Sequence, residues 1–578
     1  MTPSSDPTAA GLRLVRELQD ILGARNVLTG SRQTKRYRTG FRFGSGDALA
    51  VAKPSSLREL WYVVNACARA RAIVIMQAAN TGLTGGSTPD GDDYDRDVVI
   101  VSTVRMGGIR PIRDGRQVVC LPGSTLFQLE DMLAPMGREP HSRIGSSCIG
   151  ASVLGGVCNN SGGALIQRGP AFTQMTLFAR IGDDGVVDLV NHLGIDLGDD
   201  PETILKTIET GAYDEADIVD DEERTCSDHD YQNHVRDVDA ETPARFNNDP
   251  RRLFEAAGSG GHVVVFAVRL DTFPHDEEIA EFYLGTNDPA ELSAFRRQVL
   301  QHFRSLPVEG EYIHSSAFAL TERYGKDTFL AIRHLGAKRL PGLFALKGRF
   351  DALVARIPFL PDNLSDRIMQ GVADLFPPHL PRRLYEYHER FEHHLILRMS
   401  GEGIAEARDL LGRSFPTSNG DYFECTPDEG AKAFLHRFAV AGASIRFRAL
   451  HRDQISDIVA LDVALRRNDE DWAEKLPPEL AAKVVGVSYC AHFFCHVFHR
   501  DYLLKPGCDP VAFENAMWAL LDERRAEYPA EHNVGHLYPA KPALADFYRQ
   551  LDPSNTFNPG IGHTSKVAGW GGCDCSGH

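Results

Sequence analysis

The apolar positions in the first 180 residues alternate between helical and extended spacing. Residues 12–22 and 57–70 carry apolar side chains at the three- and four-residue intervals of an amphipathic helix. Short runs rich in β-branched residues lie at 48–51, 73–77, 98–102 and 118–121. The loops between them are rich in Gly, Ser and Asn. This pattern predicts an α/β or α+β domain.

Regular periodicity is lost between residues 196 and 250. This stretch has 18 acidic and four basic residues, and we find no clear period among its few apolar residues. Charged segments of this kind usually stay hydrated, so we predict a solvated, loop-like excursion. Residues 258–270 then return to a buried strand pattern, with four successive apolar residues at 263–266.

A helical pattern of a different character covers residues 330–360. One face of this predicted helix is apolar, and it consists of Leu343, Leu346, Phe350, Leu353, Val354 and Ile357. The same stretch gathers six basic residues, which are Arg333, Lys338, Arg339, Lys347, Arg349 and Arg356, against a single acidic one. An ordinary surface helix fits this pattern. A membrane-docking helix fits it too, and the gathering of cations in an acidic chain favours docking, because each cation near an anionic bilayer contributes about 1 kcal/mol.

Charge and composition limit the partners of the chain. The 578 residues carry a formal charge of −17, which excludes a general electrostatic grip on nucleic acid. Residues 196–250 hold −14 of that charge and residues 330–360 hold +5, so the acidity does not argue against an anionic membrane. Eleven dispersed cysteines indicate a reducing compartment. With no signal-peptide pattern and no apolar run of about 18 residues, we expect the chain on the cytoplasmic side and not across a membrane.

Two glycine-rich stretches are candidates for binding a cofactor. The first, residues 78–87, directly follows the predicted strand 73–77, and such a loop can turn its backbone N–H groups toward a pyrophosphate. It has neither the Gly-Lys-Ser/Thr of a P-loop nor the GxGxxG of a dinucleotide fold. The second, residues 145–163, contains too many glycines for an ordinary helix or strand. Each stretch alone also fits a structural turn, but together they indicate a large cofactor that carries phosphate.

These two stretches and residues 258–265 resemble the three flavin-contacting segments of the FAD-linked oxidoreductases of the vanillyl-alcohol oxidase type. The runs AANTGLT, GREPHS, CNNSGG, KAFLHRF, CHVFH and PAEHNVGHLY extend the resemblance over nearly the whole chain, to the bacterial respiratory members that oxidise D-lactate and reduce a quinone. The resemblance implies that FAD is bound by Ala78, Ala79, Asn80, Thr81, Gly82, Gly86, Ser87, Gly145, Ser152, Gly162 and Val265. Some members attach FAD covalently through a His or Cys of the first loop. Residues 78–87 contain neither, so we predict non-covalent FAD.

A histidine cluster in the C-terminal half offers metal ligands and a base. Three histidines lie within residues 491–499, and a Glu-His pair follows further on; imidazoles with a carboxylate are common ligands of a divalent metal ion. Relatives that oxidise 2-hydroxy acids carry GHxGDGNxH and EHGIG motifs, and the resemblance implies that His492, His499 and Glu531 bind a divalent metal ion and that His532 is the general base. In this chain Cys-His-Val replaces the Asp-Gly-Asn turn of the first motif. Because residues seven apart face opposite sides of a regular strand, the strand must break for His492 and His499 to converge.

A substrate that carries a carboxylate is best bound by a guanidinium group. Residues 432–448 lie where the family has a substrate-binding segment, and they contain several arginines. We predict Arg437 first and Arg446 second as the residues that contact the substrate.

The combined prediction is an α+β flavoenzyme with a PCMH-type, two-subdomain FAD-binding domain. Its predicted parts are residues 1–271 and 523–578 for that domain, 272–325 and 385–522 for a discontinuous α+β cap, and 326–384 for a basic membrane-binding insertion. The resemblance implies that D-lactate is oxidised to pyruvate by hydride transfer to FAD, and that the electrons pass to ubiquinone or menaquinone.

Three alternatives remain open at the level of sequence. A soluble FAD-dependent D-2-hydroxy-acid dehydrogenase with a protein electron acceptor fits the same motifs. A metal-dependent hydrolase would use the histidines but would leave both glycine-rich stretches unexplained. A non-catalytic flavin-binding or membrane-adaptor module would give the Glu531-His532 pair no task.

Overall fold

The N-terminal half of the chain builds two sheets. The structure is a computed structural model that describes residues 8–142, 149–182, 184–219, 221, 223–276, 278–354, 357, 360–361 and 363–571. The strands of this half are β1 Val27–Leu28, β2 Ala50–Ala52, β3 Ile73–Gln77, β4 Val98–Ser102, β5 Ile109–Ile112, β6 Gln117–Cys120, β7 Arg138–Glu139, β8 Thr176–Ile181, β9 Val187–Asn191 and β10 Val264–Asp271. The helices are α1 Ala9–Leu22, α2 Ser31–Arg38, α3 Leu57–Arg69, α4 Leu126–Leu133, α5 Val153–Cys158, α6 Pro201–Thr210 and α7 Tyr231–Arg236.

The first sheet has the strand order β1-β2-β4-β3, in which β2, β4 and β3 are parallel. The second has the order β5-β6-β10-β8-β9 and is antiparallel throughout. Helices α1, α3 and α6 share one apolar core with strands of both sheets. The helices and strands predicted at 12–22, 57–70, 73–77 and 98–102 are confirmed, because in each of them the apolar spacing alone specifies the element.

The prediction of a solvated loop at residues 196–250 is wrong in part. Helix α6 buries Ile204, Leu205 and Ile208 against the core of the first two sheets. Helix α7 buries Tyr231 and Val235 in the core of the next domain. These apolar residues lie among many charged ones, so the acidic side chains face solvent while a narrow apolar stripe still packs.

The following part of the chain forms a seven-stranded antiparallel sheet. Its strands are β12 Ile279–Thr286, β13 Glu309–His314, β14 His393–Ser400, β15 Gly420–Glu424, β16 Asp457–Ala464, β17 Val484–His492 and β18 Val497–Leu504, after a short β11 Phe273–Pro274 that pairs with β7. The order is β15-β12-β14-β13-β17-β18-β16. The helices are α8 Pro289–His302, α9 Ser315–Tyr324, α10 Lys326–Leu335, α11 Leu340–Val354, α12 Leu364–Asp374, α13 Arg382–Arg390, α14 Gly403–Ser414, α15 Pro427–Leu450, α16 Pro478–Ala481, α17 Pro510–Glu523 and α18 Pro542–Leu551.

Alternating side chains cover both faces of this sheet. Phe282 and Leu284 point to the face covered by α8 and α14, whereas Tyr283 between them points to the face covered by α9, α13 and α15. Helix α15 is the longest of these helices. A capping box of Thr426 and Glu429 fixes its start, and Pro427 occupies its first turn.

Helices α10, α11 and α12 form a small helical unit that we call the insertion. The predicted apolar face is present on α11 and is largely exposed: Leu346 and Leu353 are 63% and 57% accessible, whereas Val354 is buried. Leu375, which follows α12, is 84% accessible. Two of the predicted cations are paired, Arg333 with Asp428 and Lys347 with Asp351 and Asp366, so the surface of the insertion is less basic than its sequence.

Among the described residues, no helix combines the length and the hydropathy that crossing a bilayer requires.

The C-terminal segment returns to the first sheet. Val74 of β3 donates to the carbonyl of Thr556 and accepts from the N–H of Asn558, which places residues 556–558 along the edge of that sheet. Residues 526–561 also contribute to the apolar core of the seven-stranded sheet. The domain boundaries proposed from the sequence stay predictions.

Candidate active site

A tight hairpin brings two of the predicted metal ligands together. His492 ends β17, a short 3-10 turn follows at Phe493–Cys495, and His496 adopts a left-handed conformation with φ 53° before β18 begins. His492 is registered opposite Val497, so His499, two residues further on, lies on the same face of the sheet. The imidazole centroids of His492 and His499 are 5.3 Å apart. The break that the seven-residue spacing requires therefore forms, although the Asp-Gly-Asn turn is missing.

A buried acid on the neighbouring strand orients His492. Glu311 of β13 lies directly opposite His492 in the ladder, and its Oε1 is 2.6 Å from Nδ1 of the imidazole. Burial alone would raise the pKa of Glu311, but His492 and Arg437 outweigh it and hold the pKa below its ordinary value. This pairing leaves Nε2 of His492 free to face Glu531, whose Oε2 is 3.2 Å away.

Asp462 organises the other half of the cluster. It lies on β16 directly opposite His499, and its Oδ1 is 3.4 Å from Nδ1 of that imidazole. Its Oδ2 accepts hydrogen bonds from the backbone N–H groups of Glu531 and His532, at 2.7 and 2.9 Å, and lies 3.1 Å from Nδ1 of His532. Burial would raise the pKa of Asp462, yet His532 and His499 hold it well below its ordinary value. One carboxylate thus fixes the turn that carries both Glu531 and His532.

Glu531 is held from the opposite side by a buried arginine. Arg245 forms an ion pair with Oε1 of Glu531 and also donates to the carbonyl of Leu165 at 3.2 Å. Burial would raise the pKa of Glu531, but His492 and Arg245 lower it to about 2. Burial would likewise lower the pKa of His492, whereas Glu311 and Glu531 raise it to about 10. The cluster therefore alternates positive and negative groups in a buried setting.

The three predicted metal ligands fit a divalent cation. One nitrogen of each imidazole and one oxygen of Glu531 lie within 4.8 Å of one another. Glu311 and Asp462 approach the second nitrogens of His492 and His499, which is the arrangement that fixes imidazoles in metal sites. A divalent cation would take the place of the proton that His492 holds between two carboxylates.

The first glycine-rich loop fits an anionic cofactor group. The backbone N–H groups from Ala79 to Thr84 find no acceptor within the described part of the chain, as expected of a loop that binds phosphate. A Cβ added at Gly82 would meet no atom within 4 Å, so this position faces open space. Gln77, the last residue of β3, holds the loop in place by donating hydrogen bonds to the carbonyls of Tyr37 and Ser87, at 2.9 and 2.6 Å.

The same loop is bonded to the turn that carries Glu531 and His532. Asn533, next to His532, contacts the hydroxyl of Thr84 and packs against Gly86. The N–H of His536 donates to the carbonyl of Thr84 at 2.9 Å. The predicted cofactor residues of the first loop and the predicted base are therefore parts of one hydrogen-bonded unit.

The second glycine-rich stretch reaches the cluster as well. A Cβ at Gly162 would lie 2.5 Å from Oε1 of Glu531, so only glycine lets the carboxylate approach here. Ser152 caps α5 by accepting from the N–H of Gly155 at 3.1 Å. Val265 is buried at a β-bulge between β10 and β8. Gly145 lies outside the described residues.

The two predicted substrate arginines differ in position. Nη2 of Arg437 is 3.0 Å from Oε2 of Glu311, which places Arg437 at the edge of the histidine cluster. Arg446 lies nine residues along α15, about 14 Å further along the axis, and it pairs with Asp327 and Asp366 of the insertion. The structure brings Arg437 to the site and does not bring Arg446 there.

A third arginine, Arg42, lies near the predicted base, although it is not among the residues predicted from the sequence. Arg42, in the loop before β2, donates to the carbonyl of Ala441 at 3.5 Å, one helical turn from Arg437. Its charge acts on His532 and Asp501, and it forms no ion pair within the described ranges. Burial by neighbouring atoms lowers the pKa of Arg42, although its side chain remains accessible to solvent.

Sequence reasoning missed Glu311, Asp462, Arg245 and Arg42. Asp462 is the only acid in the apolar run 458–465, so a buried-acid signal was available for it. Glu311 shares its face of β13 with Glu309, which is also buried, so no such signal singles it out. Arg245 is one of four basic residues in the acidic stretch 196–250. Arg42 carried no signal, because nothing local distinguishes it from the neighbouring arginines.

Comparison with known proteins gives consistent matches over the whole chain. Residues 281–570 match the family described as D-lactate dehydrogenase, membrane binding, and residues 48–182 match the family described as FAD binding domain. A quinone-dependent D-lactate dehydrogenase from Escherichia coli (strain K12) is 53% identical over 98% of this chain and 99% of its own length. Its counterpart from Corynebacterium glutamicum is 43% identical over 99% of this chain and all of its own length.

Solved structures share the fold at low identity. p-Cresol methylhydroxylase with substrate bound superposes with a TM-score of 0.55 at 13% identity, covering 97% of this chain and 98% of its own. 4-Ethylphenol oxidase from Gulosibacter chungangensis, in its isoeugenol complex, gives a TM-score of 0.56 at 12% identity, covering 97% and 98%. The predicted α+β fold with a PCMH-type FAD-binding domain is thereby confirmed.

Proposed function

The chain belongs to the family of the quinone-dependent D-lactate dehydrogenases, and on that premise we propose how its residues carry the reaction. It is an FAD-dependent oxidoreductase that oxidises D-lactate, reduces a quinone and binds to a membrane. Bound FAD supplies the acceptor for the hydride that leaves C2 of D-lactate.

His532 is the general base in this proposal. Its Nδ1 faces Asp462, so Nε2 is left to accept the proton of the substrate hydroxyl as pyruvate forms. Asp462 stabilises the imidazolium that results, and it raises the pKa of His532 although burial lowers it. The contact of Asn533 with the first glycine-rich loop supports this role, because it fixes the base relative to the residues that would hold FAD.

The cofactor and metal ligands follow from the same geometry. Ala78–Gly82 together with Gly86 and Ser87 would hold the pyrophosphate of a non-covalent FAD, and Ser152, Gly162 and Val265 would line the flavin. His492, His499 and Glu531 would hold a divalent cation, which would act as a Lewis acid toward the substrate oxygens.

The non-covalent attachment of FAD is tested by acid precipitation of the holoenzyme. All yellow colour should pass to the supernatant, and colour that stays in the pellet would overturn the non-covalent assignment.

The substrate carboxylate would be bound by arginines on two sides. Arg437 approaches from α15 and is paired with Glu311 at the edge of the histidine cluster. Arg42 approaches from the loop before β2, and its charge acts on His532. Arg446 keeps no part in this proposal, since two carboxylates of the insertion already pair with it.

Membrane binding would use the insertion on the cytoplasmic face of an anionic bilayer. Its exposed leucines would enter the interface, and Arg339 and Arg349, both exposed, would face lipid head groups. A soluble protein as electron acceptor would leave these apolar side chains without a partner.

The observation that carries the proposal is the convergence of His532, the paired histidines and Arg437 beside the first glycine-rich loop. Its test is anaerobic mixing of the yellow holoenzyme with D-lactate, with L-lactate and with longer D-2-hydroxy acids. We expect rapid bleaching by D-lactate and at least tenfold slower bleaching by the others. Equal bleaching by the two enantiomers, or none by D-lactate, would overturn the substrate assignment.

The metal is tested on the same holoenzyme. After dialysis against a chelator, D-lactate bleaching should slow by roughly 10–100-fold and recover on addition of Mn²⁺ or Zn²⁺. Metal analysis of the untreated protein should give about one ion per chain. Full activity in metal-free protein would remove the cation from the proposal.

A further inference from the structure

One face of α15 is left uncovered although the rest of the helix is largely packed. Phe438, Ala441, Gly442 and Ile445 are exposed and follow the spacing i, i+3, i+4, i+7, whereas residues 439, 440, 443 and 444 are buried. These four residues, which we call the α15 stripe, carry no charge and extend about 10 Å along the axis. Phe438 is 37% and Ile445 48% accessible. A contiguous apolar surface of this kind needs a partner.

The N-terminal end of the α15 stripe borders the active site. Ala441 lies one turn after Arg437, which pairs with Glu311, and the guanidinium of Arg42 reaches the Ala441 carbonyl. Phe41 and Phe43, on either side of Arg42, are exposed as well. Their loop packs on the first glycine-rich loop. The stripe therefore starts where the cap meets the cofactor-binding residues.

The C-terminal end of the α15 stripe joins the insertion. Arg446, the residue after Ile445, pairs with Asp327 and Asp366 and lies 3.8 Å from the sulfur of Met369. Ile368 and Val372 of α12, next to these contacts, are 49% and 51% accessible. The exposed apolar surface thus passes from the insertion to α15.

The α15 stripe fits an elongated, uncharged ligand. D-lactate and pyruvate are small anions, so an uncharged stripe about 10 Å long gives them nothing to bind. A quinone has an apolar tail that lies in the bilayer and a flat head group that must reach the cofactor-binding domain. We propose that the α15 stripe, with Phe41 and Phe43, is the docking site of the quinone head group, entered from the insertion.

This assignment rests on the proposed function and adds the place where electrons leave. The quinone would accept two electrons and two protons at the cofactor end of the stripe and leave as the quinol, while the flavin returns to its oxidised form. D-lactate supplies those two electrons in the preceding half-reaction, so no other reductant is required.

The test is to fill the stripe without disturbing the fold. A Cβ at Gly442 would meet no atom within 4 Å and its backbone is helical, so Gly442→Leu is sterically free and favoured by helix propensity. We expect at least tenfold slower anaerobic reoxidation of the reduced enzyme by a short-chain ubiquinone analogue. Flavin reduction by D-lactate should stay within twofold of wild type. Ile445→Ser, which removes apolar surface without adding bulk, should raise the KM for the same quinone.

The matched control is Gly412→Leu. Gly412 is exposed on α14, where a Cβ would make only an ordinary contact with Tyr422, and α14 covers the opposite face of the sheet. Both half-reactions should be unchanged in this variant. Wild-type quinone reoxidation in Gly442→Leu would overturn the docking site. A wild-type enzyme that D-lactate cannot reduce would instead refute the proposed function.

A second readout is independent of turnover. A photoreactive azidoquinone should label a peptide within residues 427–450 of the wild-type holoenzyme, and excess unlabelled quinone should protect that peptide. Labelling should fall at least fivefold in Gly442→Leu and stay unchanged in Gly412→Leu. Labelling confined to peptides outside α15 and the loop 40–44 would overturn the assignment.

Discussion

The histidine cluster buries charged groups and pairs them, whereas the insertion exposes apolar side chains to solvent. At the cluster, Glu311, Asp462 and Glu531 are buried and each has at least two charged or hydrogen-bonding partners. On the insertion, large apolar side chains such as Leu346 and Leu375 face solvent, and few contacts hold them.

The difference follows from what each region must bind. Charges in a buried site are costly unless they are paired, so a reaction centre needs its partners in place before the substrate arrives. A membrane supplies the partner for apolar side chains from outside, so the insertion leaves them unpaired in the free protein. Substitutions of the buried acids should therefore change both chemistry and stability in the cluster, whereas substitutions in the insertion should change membrane affinity alone.

The largest effect is expected at the base. His532→Gln should slow flavin reduction by D-lactate by about 10³-fold, because Glu531, the other titratable group of the turn, is paired with Arg245 and His492, and its lowered pKa makes it a poor base. FAD content and melting temperature should match wild type, since residue 532 is partly exposed. The measurement is single-turnover stopped-flow absorbance. A rate within tenfold of wild type would remove His532 from the mechanism.

Replacing Asp462 should lower the reaction rate less than replacing the base does, but it should lower stability as well. Asp462→Asn should lower the rate of D-lactate oxidation roughly 10–100-fold, because the amide cannot stabilise two imidazoles. It should also lower the free energy of unfolding by about 3 kcal/mol, since Asp462 is itself buried and both its histidine partners and two backbone N–H groups lose a charged acceptor. Asp457→Asn, at the half-exposed start of the same strand, is the control for rate and for urea denaturation, because its ion pair with Arg448 lies at the surface. Loss of rate with full stability would argue against the network.

Membrane affinity should respond to the exposed leucines. The double variant Leu346→Ser and Leu353→Ser should bind neutral phosphatidylcholine vesicles at least tenfold more weakly, because each buried leucine contributes roughly 1.5 kcal/mol or more. Melting temperature and flavin reduction should be unchanged. Vesicle flotation is the measurement, and Val511→Ser, exposed outside the insertion, is the matched control. A lowered melting temperature would mean that these leucines pack in the free protein.

The smallest effect is expected for a single cation. Arg349→Glu should weaken binding to anionic vesicles about fivefold or somewhat more, since each cation near such a surface contributes about 1 kcal/mol. Binding to neutral vesicles should not change. Arg13→Glu, exposed on α1, is the control. Equal loss on neutral vesicles would show that charge is not the cause.

Local patterns made the framework of the fold predictable. Helices α1 and α3 each bury one face, so their apolar spacing defines them. Strands β3 and β4 are short apolar runs that are buried on both faces. The helices in the charged stretch 196–250 were harder to predict, because the many acidic residues around the three buried apolar residues of α6 obscure the helical pattern. The helix of the insertion was predicted, and its exposure distinguishes the membrane interpretation from that of a packed surface helix.

The site was predictable only where residues carry the chemistry themselves. His492, His499, Glu531 and His532 are recognisable by type and spacing. Glu311 and Asp462 are not, because they join the cluster only through the strand registers that place them opposite His492 and His499. Such registers depend on contacts between residues far apart in sequence, and no local pattern encodes them.

The contact between Asn533 and the first glycine-rich loop has a thermodynamic consequence. Two ligands that each order one side of a shared contact must help each other bind by the same factor. Occupancy of the loop would fix the turn that carries Glu531 and His532, and occupancy of the cluster would fix the loop. Substrate analogues should then slow the loss of FAD from the enzyme, and stripping the cofactor should weaken those analogues to an equal degree.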